Sequence, residues 1–234
     1  MRRSILAVLG VGVVVLGGFL VPRLGATASV DPADFASPRA NPYFPLRPGT
    51  LYVLRGSEDG ERLREHAVIT DKTKVILGVS TTVVRDTVWA NGRLVERTLD
   101  WYANDNDGTT WYFGERTAAF NAHEEVINRE GSWQAGIDGA RPGIIMPHDP
   151  SPTDAYRQEF FAGHAEDQAW VVQRDLRITV PYGTVEDVVR TFEWARLEPH
   201  VVSQKLYAPG LGIVRETDVA GGTEDLQLVA VRKV

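Results

Sequence analysis

Cysteine is absent from the 234 residues of the sequence. Its absence excludes a disulfide framework, a cysteine nucleophile and a thiolate zinc site. It also excludes a lipid-modified cysteine near the N-terminus, which a bacterial lipoprotein requires. Stability must therefore come from a hydrophobic core, and a chain of this length can supply one.

Basic side chains and catalytic motifs are also scarce. The chain has 25 lysine and arginine residues against 31 aspartate and glutamate residues, and no basic stripe is recognisable. This balance argues against a nucleic-acid partner. There is no Gly-x-Ser-x-Gly elbow, no phosphate-binding loop and no dinucleotide fingerprint. The sequence by itself does not disclose a reaction.

A long uncharged run occurs at the N-terminus, from Ile5 to Val21, after a basic start. Ala26-Thr27-Ala28 has the small-x-small form that signal peptidase cleaves. These features predict a signal peptide over residues 1–28 and a mature chain that begins at Ser29, either extracellular or on the outer face of the cell membrane. The run is close to the lower length limit for spanning a bilayer. An uncleaved membrane anchor is therefore the alternative, and the membrane would then be contacted through this segment only.

Five prolines between Ser29 and Pro48 predict a Pro-rich tether over residues 29–42. A single β domain is expected to follow over residues 43–234. Tyr43 and Phe44 lie at the start of this domain, and we expect both aromatic side chains to dock on it.

The rest of the chain has the pattern of an all-β protein. Short runs rich in valine, threonine and aromatic residues alternate with turn signals, and only residues 117–125 and 149–161 could hold a short helix. We predict an antiparallel meander curled into an open or closed barrel, half-barrel or lipocalin-like in form. The long irregular segment over residues 136–166 is expected to cover one end of it.

Asn91-Gly92 marks the first predicted hairpin. The pair favours a two-residue type I′ turn because both turn positions need φ above zero. The predicted cross-strand pairs are Trp89 with Leu94, Val88 with Val95, Asp86 with Arg97, Val84 with Leu99 and Thr82 with Trp101. This register predicts one largely apolar face, formed by Val84, Val88, Val95, Leu99 and Trp101.

Three turn motifs in the chain look familiar together. They are YFPLRPGTLY at residues 43–52, VPYGTV at 180–185 and YAPGLGIV at 207–214. Their order and spacing resemble those of the exported bacterial proteins called TapB-like. The resemblance implies an extracytoplasmic β domain, and it implies no catalytic residues.

Aromatic residues gather on the hairpin that follows. In a barrel of this strand number the interior is often too wide for side chains to fill, and a ligand cavity results. The first functional hypothesis is therefore a binding protein for a small apolar or amphiphilic molecule. The predicted ligand-binding residues are Trp101, Tyr102, Trp111, Tyr112 and Glu115. Core packing is the plainer interpretation of these aromatic side chains.

The second hypothesis is a secreted hydrolase or lyase. The candidate catalytic residues are Glu159, His164, Glu166, Asp167 and His148. Asp100, Glu115 and Glu159 lie among aromatic residues, where burial would raise their pKa values. The sequence does not identify a cofactor, but if a metal binds, the oxygen-rich side chains favour calcium over zinc. A solvated acidic loop is the plainer interpretation.

Overall fold

The structure, a computed structural model, describes residues 30–234. The predicted signal peptide and its cleavage after Ala28 lie outside these residues. The described chain forms a short 3₁₀-helix, Pro32–Phe35, and fifteen strands. The strands are β1 Thr50–Glu58, β2 Glu61–Ile76, β3 Val79–Ala90, β4 Arg93–Asn104, β5 Thr110–Phe120, β6 Val126–Asn128, β7 Trp133–Gln134, β8 Arg141–Met146, β9 Ala155–Arg157, β10 Glu159–Phe160, β11 Asp167–Val180, β12 Gly183–Ala195, β13 Val202–Ala208, β14 Gly212–Ala220 and β15 Asp225–Lys233.

All fifteen strands belong to one antiparallel sheet, as the meander prediction requires. Its order is β10-β8-β5-β4-β3-β2-β1-β15-β14-β13-β12-β11-β9, with β6 and β7 both pairing with β5. The first and last strands pair directly, from Thr50 opposite Lys233 to Ser57 opposite Asp225. The sheet therefore curls into a nearly closed barrel, and the predicted fold class is confirmed. None of the helices in the described part of the chain is long and apolar enough to cross a membrane.

One seam of the barrel is not sealed by a continuous ladder. The two ends of the sheet, β9 and β10, are separated along the chain by Gln158 alone. β9 pairs with β11, whereas β10 pairs with β8. Gln158 donates its backbone N–H to the carbonyl of Asp167 at 2.8 Å. The extended stretch formed by β9, Gln158 and β10 therefore fills the gap between β8 and β11. Its first part bonds to β11 and its last part bonds to β8.

Much of the irregular segment over residues 136–166 forms barrel wall instead of a cover. β8 pairs with β5 through Ile144 opposite Trp111 and Gly143 opposite Tyr112. Gly143 is required at the seam, because a Cβ there would lie 2.4 Å from the carbonyl oxygen of Gln158. Strands as short as β8, β9 and β10 carry too few alternations to be recognised in the sequence.

A different segment crosses one end of the barrel: residues 41–48, which we call the strap. On one side, Asn41 Nδ2 donates to the carbonyls of Gly108 and Met146 at 2.9 and 3.0 Å. On the other side, the Gly210 N–H donates to the carbonyl of Pro42 at 2.7 Å. Six strands lie between β5 and β13 in the sheet order, so the strap spans the mouth.

The strap is held by its aromatic residues as well. Tyr43 is buried, and the Phe44 ring packs edge-to-face on Tyr102 with ring centroids 4.9 Å apart. Both aromatics dock on the domain, as predicted. The 3₁₀-helix in the preceding Pro-rich segment also lies against the barrel, where Phe35 packs edge-to-face on Phe113 at 5.6 Å.

The hairpin at Asn91-Gly92 forms with the expected turn but a different register. Asn91 and Gly92 have φ of 50° and 83°, as a type I′ turn needs, and Trp89 faces Leu94. A β-bulge then shifts the pairing by one residue, so that Val88 faces Glu96 and not Val95. Because side chains alternate across a strand, this shift exchanges the two faces of β4.

The predicted apolar face is therefore wrong for β4. The residues of β4 that face the barrel interior are Glu96, Thr98, Asp100 and Tyr102. Val84, Asp86 and Val88 share this interior, as predicted for β3, but Asp86 faces Thr98 and not Arg97. A bulge lengthens one strand by one residue without a sequence signal of its own, which is why the pattern did not reveal it.

Candidate functional site

A cavity of about 130 Å³ lies inside the barrel. Its wall is built by side chains of β1 to β5, β8, β10, β11, β13 and β14, and Phe44 and Pro45 of the strap close it at one end. For comparison, an apolar cavity of about 150 Å³ holds a benzene molecule. The cavity is therefore large enough for a compact ligand or for one part of a longer ligand.

One wall of the cavity is aromatic. The rings of Tyr102 and Tyr112 stack with their centroids 4.7 Å apart and their planes 20° apart. Trp133 packs edge-to-face on Tyr112 at 5.3 Å, and Phe44 covers Tyr102 from the strap. Because these rings hold one another, the wall is rigid.

Asp100 meets this wall from β4. The Tyr112 hydroxyl donates to Asp100 Oδ1 at 2.8 Å. Burial raises the pKa of Asp100 to about 7, although the hydrogen bond from Tyr112 opposes the shift. The carboxyl group is therefore poised to gain or lose a proton near neutral pH.

Three more buried carboxyl groups lie near Asp100, on β5, β10 and β11. Burial raises the pKa values of Glu115 and Glu159 well above their ordinary range, and neighbouring negative charges raise both further. Burial also raises the pKa of Asp167 to about 6, while Lys205 opposes that shift. We call Asp100, Glu115, Glu159 and Asp167 the carboxyl cluster. None of them forms an ion pair with another described residue.

Glu159 and Asp167 hydrogen-bond to each other across the seam. Two ionised carboxylates offer no donor, so this bond requires one proton, and it raises the pKa of Glu159 while lowering that of Asp167. The pair therefore shares one proton. Apart from it, Glu159 Oε2 and Asp167 Oδ1 have no partner in residues 30–234. The Trp133 N–H is close enough to lower the pKa of Glu159, but it does not reach hydrogen-bond geometry.

A second carboxyl pair, Glu65 and Asp86, faces the cavity from β2 and β3. Burial first, and then the negative charge of Glu65, raise the pKa of Asp86 well above its ordinary range. Burial also raises the pKa of Glu65, while its hydrogen bond with Asp86 lowers it. This pair therefore shares one proton as well. Both side chains are partly accessible to solvent, because they line the cavity.

Lys205 on β13 forms a different kind of charged centre, which we call the lysine site. Its Nζ lies 3.2 Å from Glu193 Oε2 and 3.3 Å from Glu216 Oε1, and all three side chains are buried. Burial lowers the pKa of Lys205, but the two carboxylates outweigh this and raise it well above its ordinary value. The hydroxyls of Thr191 and Tyr207 donate to Glu193 Oε1 at 2.8 and 3.0 Å, so both carboxylate oxygens of Glu193 have a partner within the chain.

The structure divides the five residues predicted to bind ligand. Tyr102 and Tyr112 line the cavity, and Glu115 is buried beside it. Trp101 is not part of the lining, because the bulge turns its side chain away from the barrel interior. On the other face of the sheet its ring contacts Lys74, whose Nζ lies 3.3 Å from the ring centroid.

Trp111 does not line the cavity either. It alternates with Tyr112 on β5, so it lies on the opposite face of the strand. Its Nε1 donates to Asp105 Oδ2 at 2.9 Å, and its ring packs on Phe35 with centroids 6.2 Å apart. Trp111 thus lines a separate surface cleft.

The five candidate catalytic residues are also separated. Glu159 and Asp167 line the cavity. Glu166 accepts hydrogen bonds from Arg196 at 2.7 and 2.8 Å, which lower its pKa. His164 stacks on Phe161 with centroids 4.3 Å apart. Neither Glu166 nor His164 lines the cavity.

His148, the fifth candidate, is also outside the cavity lining. Its Nδ1 is buried without a hydrogen-bond partner in the described chain. The ring lies against the β4–β5 turn, where a Cβ at Gly108 would be 2.4 Å from Nδ1. The structure therefore does not assemble the five residues into one constellation.

The sequence analysis missed Glu65 and the residues of the lysine site. The partner of Glu65, Asp86, did carry a sequence signal. Asp86 lies between Val84 and Val88 at a spacing of two, so alternation along β3 places all three side chains on the same, interior face. No comparable signal identifies Lys205, because its partners come from β12 and β14.

Metal binding finds no support in the geometry of the described chain. Over residues 30–234 no group of three or more His, Asp or Glu side chains is arranged to hold an ion. The expected preference for calcium over zinc therefore has no candidate ligand set in residues 30–234.

No family model matches the chain, and no curated protein is similar to it. Two solved structures are similar to it in the overall path of the backbone. One is from Bacteroides fragilis NCTC 9343 and is described as an exported protein with a YmcC-like fold; it is 14% identical, with a TM-score of 0.48. The other is from Parabacteroides distasonis ATCC 8503 and is described as a lipoprotein; it is 10% identical, with a TM-score of 0.43.

Each alignment covers 83% of this chain and 100% of the other. Both TM-scores lie below 0.5, so these similarities assign no function to this protein. Neither description names the TapB-like proteins, so that resemblance stays a prediction from three sequence motifs.

Proposed function

We propose that this is an exported binding protein that holds a small amphiphilic molecule inside the barrel. The observation that carries the proposal is a cavity with an apolar, aromatic wall and a buried carboxyl pair, Glu159 and Asp167, whose Oε2 and Oδ1 atoms have no donor in the described chain besides the shared proton. Export rests on the signal-like segment over residues 1–28.

An amphiphile suits the two kinds of surface in this cavity. Leu54, Ile69 and Ile145 offer apolar contact, whereas the carboxyl cluster offers hydrogen-bond acceptors. Burial of each methylene of a ligand against such a wall contributes about 0.8 kcal/mol. A polar end placed at the cluster would supply donors that the described chain does not offer to Glu159 Oε2 and Asp167 Oδ1 beyond their shared proton, which favours binding.

Cavity filling tests the proposal. Ala67 lines the cavity from β2, so Ala67→Phe places a ring inside it, while Ala122→Phe adds the same ring at an exposed turn. Isothermal titration calorimetry with 1-hexanol should show binding to the wild type and to Ala122→Phe. Ala67→Phe, folded by circular dichroism, should bind at least tenfold more weakly. Equal binding by all three proteins, or none by the wild type, would contradict the proposal.

A hydrolase remains the second candidate, because Asp100 and Asp167 have pKa values of about 7 and about 6 in a cavity. Groups that titrate near neutrality are suited to general acid–base catalysis. Turnover of p-nitrophenyl glycosides or esters that is lost in Asp167→Asn and kept in Glu166→Gln would establish this alternative. Absence of turnover across such a substrate panel would argue against it.

A further inference from the structure

We infer that the ligand of the cavity is an organic cation, an alkylammonium ion whose charged end contacts Glu159 and Asp167 and whose chain lies along the Tyr102–Tyr112 wall. This inference rests on the proposed function, since it names the chemical class of the molecule that the cavity would bind.

The charge of the lining is one-sided. Seven acidic side chains and one basic side chain, Lys205, line the cavity among the described residues. Lys205 already has two carboxylate partners within 3.3 Å, Glu193 and Glu216. No cation of the described chain is therefore left for Glu159 and Asp167, and a bound cation would fill that role.

The unsatisfied atoms specify the kind of ligand group. Glu159 is 3% exposed, and neither its Oε2 nor Asp167 Oδ1 has a donor beyond the proton that they share. Carboxylate oxygens accept hydrogen bonds, and an ammonium group has three donors and no acceptor. A carboxylate or phosphate ligand would instead bring a further negative charge into the same dry site, at high cost.

The apolar surface next to these atoms fits an alkyl chain. Tyr102 and Tyr112 extend from the carboxyl cluster towards the strap, where Phe44 contacts Tyr102. Ile145 of β8 completes this side of the lining. An ammonium group at Glu159 would therefore place a short chain between the aromatic wall and the strap.

Binding of a cation should also release a proton. The Glu159–Asp167 pair shares one proton, and a cation placed against the pair would favour its fully ionised form. The titratable and charged groups that surround Glu159 are Asp100 on β4, Tyr112 and Glu115 on β5, Asp167 on β11 and, beyond Asp167, Lys205 on β13. Apart from Lys205, the charged groups in this set are acidic. Their negative charges therefore favour a bound cation, as the Glu159–Asp167 pair does.

Three probes of equal chain length test the inference: hexylammonium, 1-hexanol and hexanoate, titrated into the purified protein by calorimetry at pH 7. We expect hexylammonium to bind at least tenfold more tightly than 1-hexanol, and hexanoate to bind most weakly. The binding enthalpy of hexylammonium should differ between phosphate and Tris buffers because a proton is released, whereas that of 1-hexanol should not.

Glu159→Gln should reduce the preference for hexylammonium over 1-hexanol to less than threefold, because the loss of the carboxylate weakens binding of the cation far more than binding of the neutral alcohol. Glu186→Gln is the matched control, since Glu186 is exposed on β12 and pairs with Arg177 at the surface. If Glu159→Gln fails to fold, Asp167→Asn carries the same expectation.

The outcomes separate the two proposals. If 1-hexanol binds as tightly as hexylammonium, the inference is overturned and the proposed function stands. A preference for hexylammonium that survives in Glu159→Gln or Asp167→Asn would also overturn it, because the cation would then lie elsewhere. If no probe binds, both proposals fail.

Discussion

Two regions of the barrel interior bury ionisable groups in different ways. At the lysine site, Lys205 lies between Glu193 and Glu216, and hydroxyl donors satisfy the second carboxylate oxygen of Glu193. In the carboxyl cluster, Glu159 and Asp167 share a proton and form no ion pair with a described residue. The first region is complete within the chain, whereas the second lacks a donor.

This difference in how the two regions pair their buried charges indicates where a ligand should bind. A buried charge is costly unless it is paired, so a chain that keeps an unpaired carboxyl group gives up stability at that point. The lysine site shows that this barrel can pair buried charges where it needs to. We therefore regard the carboxyl cluster as the region open to a ligand and the lysine site as part of the framework.

The largest expected effect comes from breaking the complete region. Lys205→Met removes the cation and leaves Glu193 and Glu216 buried without it. We expect a loss of about 3–5 kcal/mol in the free energy of unfolding, measured with urea at pH 7. Lys72→Met, at an exposed position, is the control and should change little. A loss below about 1 kcal/mol at Lys205 would show that the pairing is not required.

The second prediction concerns pH. A carboxyl group whose pKa is raised on folding binds its proton more tightly in the folded state, so stability decreases as pH rises from its unfolded pKa through its folded pKa. For Asp100 the folded pKa is about 7 and for Asp167 it is about 6. Urea midpoints should therefore fall steadily between pH 5 and pH 8. A midpoint that stays flat or rises over this range would contradict the raised pKa values.

A change outside both regions provides the reference for these effects. Gly92→Val puts a β-branched residue at a φ of 83°, and no atom lies within 4 Å of the added Cβ, so strain in the backbone is the whole effect. We expect a loss of about 1–2 kcal/mol, equal at pH 5 and pH 8. An unchanged denaturant midpoint would refute the type I′ assignment.

A smaller effect of opposite sign is expected in the incomplete region. Glu159→Gln replaces a buried acid with a neutral amide that can still donate to Asp167. Stability should increase by about 1 kcal/mol at pH 8, where ionisation of Glu159 is costly, and should be unchanged at pH 5. Glu186→Gln at the surface should be neutral at both pH values. Destabilisation of Glu159→Gln at pH 8 would mean that the carboxyl cluster contributes to the framework.

The smallest effect is expected at Trp111, which the sequence had placed in the binding site. Since its ring lies in a surface cleft, Trp111→Ala should leave the affinity for 1-hexanol within twofold of the wild type. Tyr112→Leu, which alters the cavity wall, is the contrasting variant and should weaken binding several-fold. Calorimetry that found the reverse order would return Trp111 to the site.

The candidate site was predictable only in part. Tyr102, Tyr112, Glu159 and Asp167 were proposed from the sequence, and they line the cavity. Trp101 was assigned to the site because the hairpin was counted without a bulge. Adjacent strand residues point to opposite faces, so Trp111 and Tyr112 of β5 could not both reach one cavity.

The sequence alone determined the antiparallel fold, because its signals are local. Asn-Gly, Pro-Gly and Gly-Gly pairs restrict the backbone where they occur, and alternation between them identifies strands without knowledge of their partners. The tertiary structure alone decided closure, register and the grouping of charges. Residues 155–160 fill the seam, the bulge in β4 turns Asp100 inward, and strands distant in sequence bring Asp100 near Glu159. These features depend on contacts between remote segments, and burial at those contacts is what raises the pKa values.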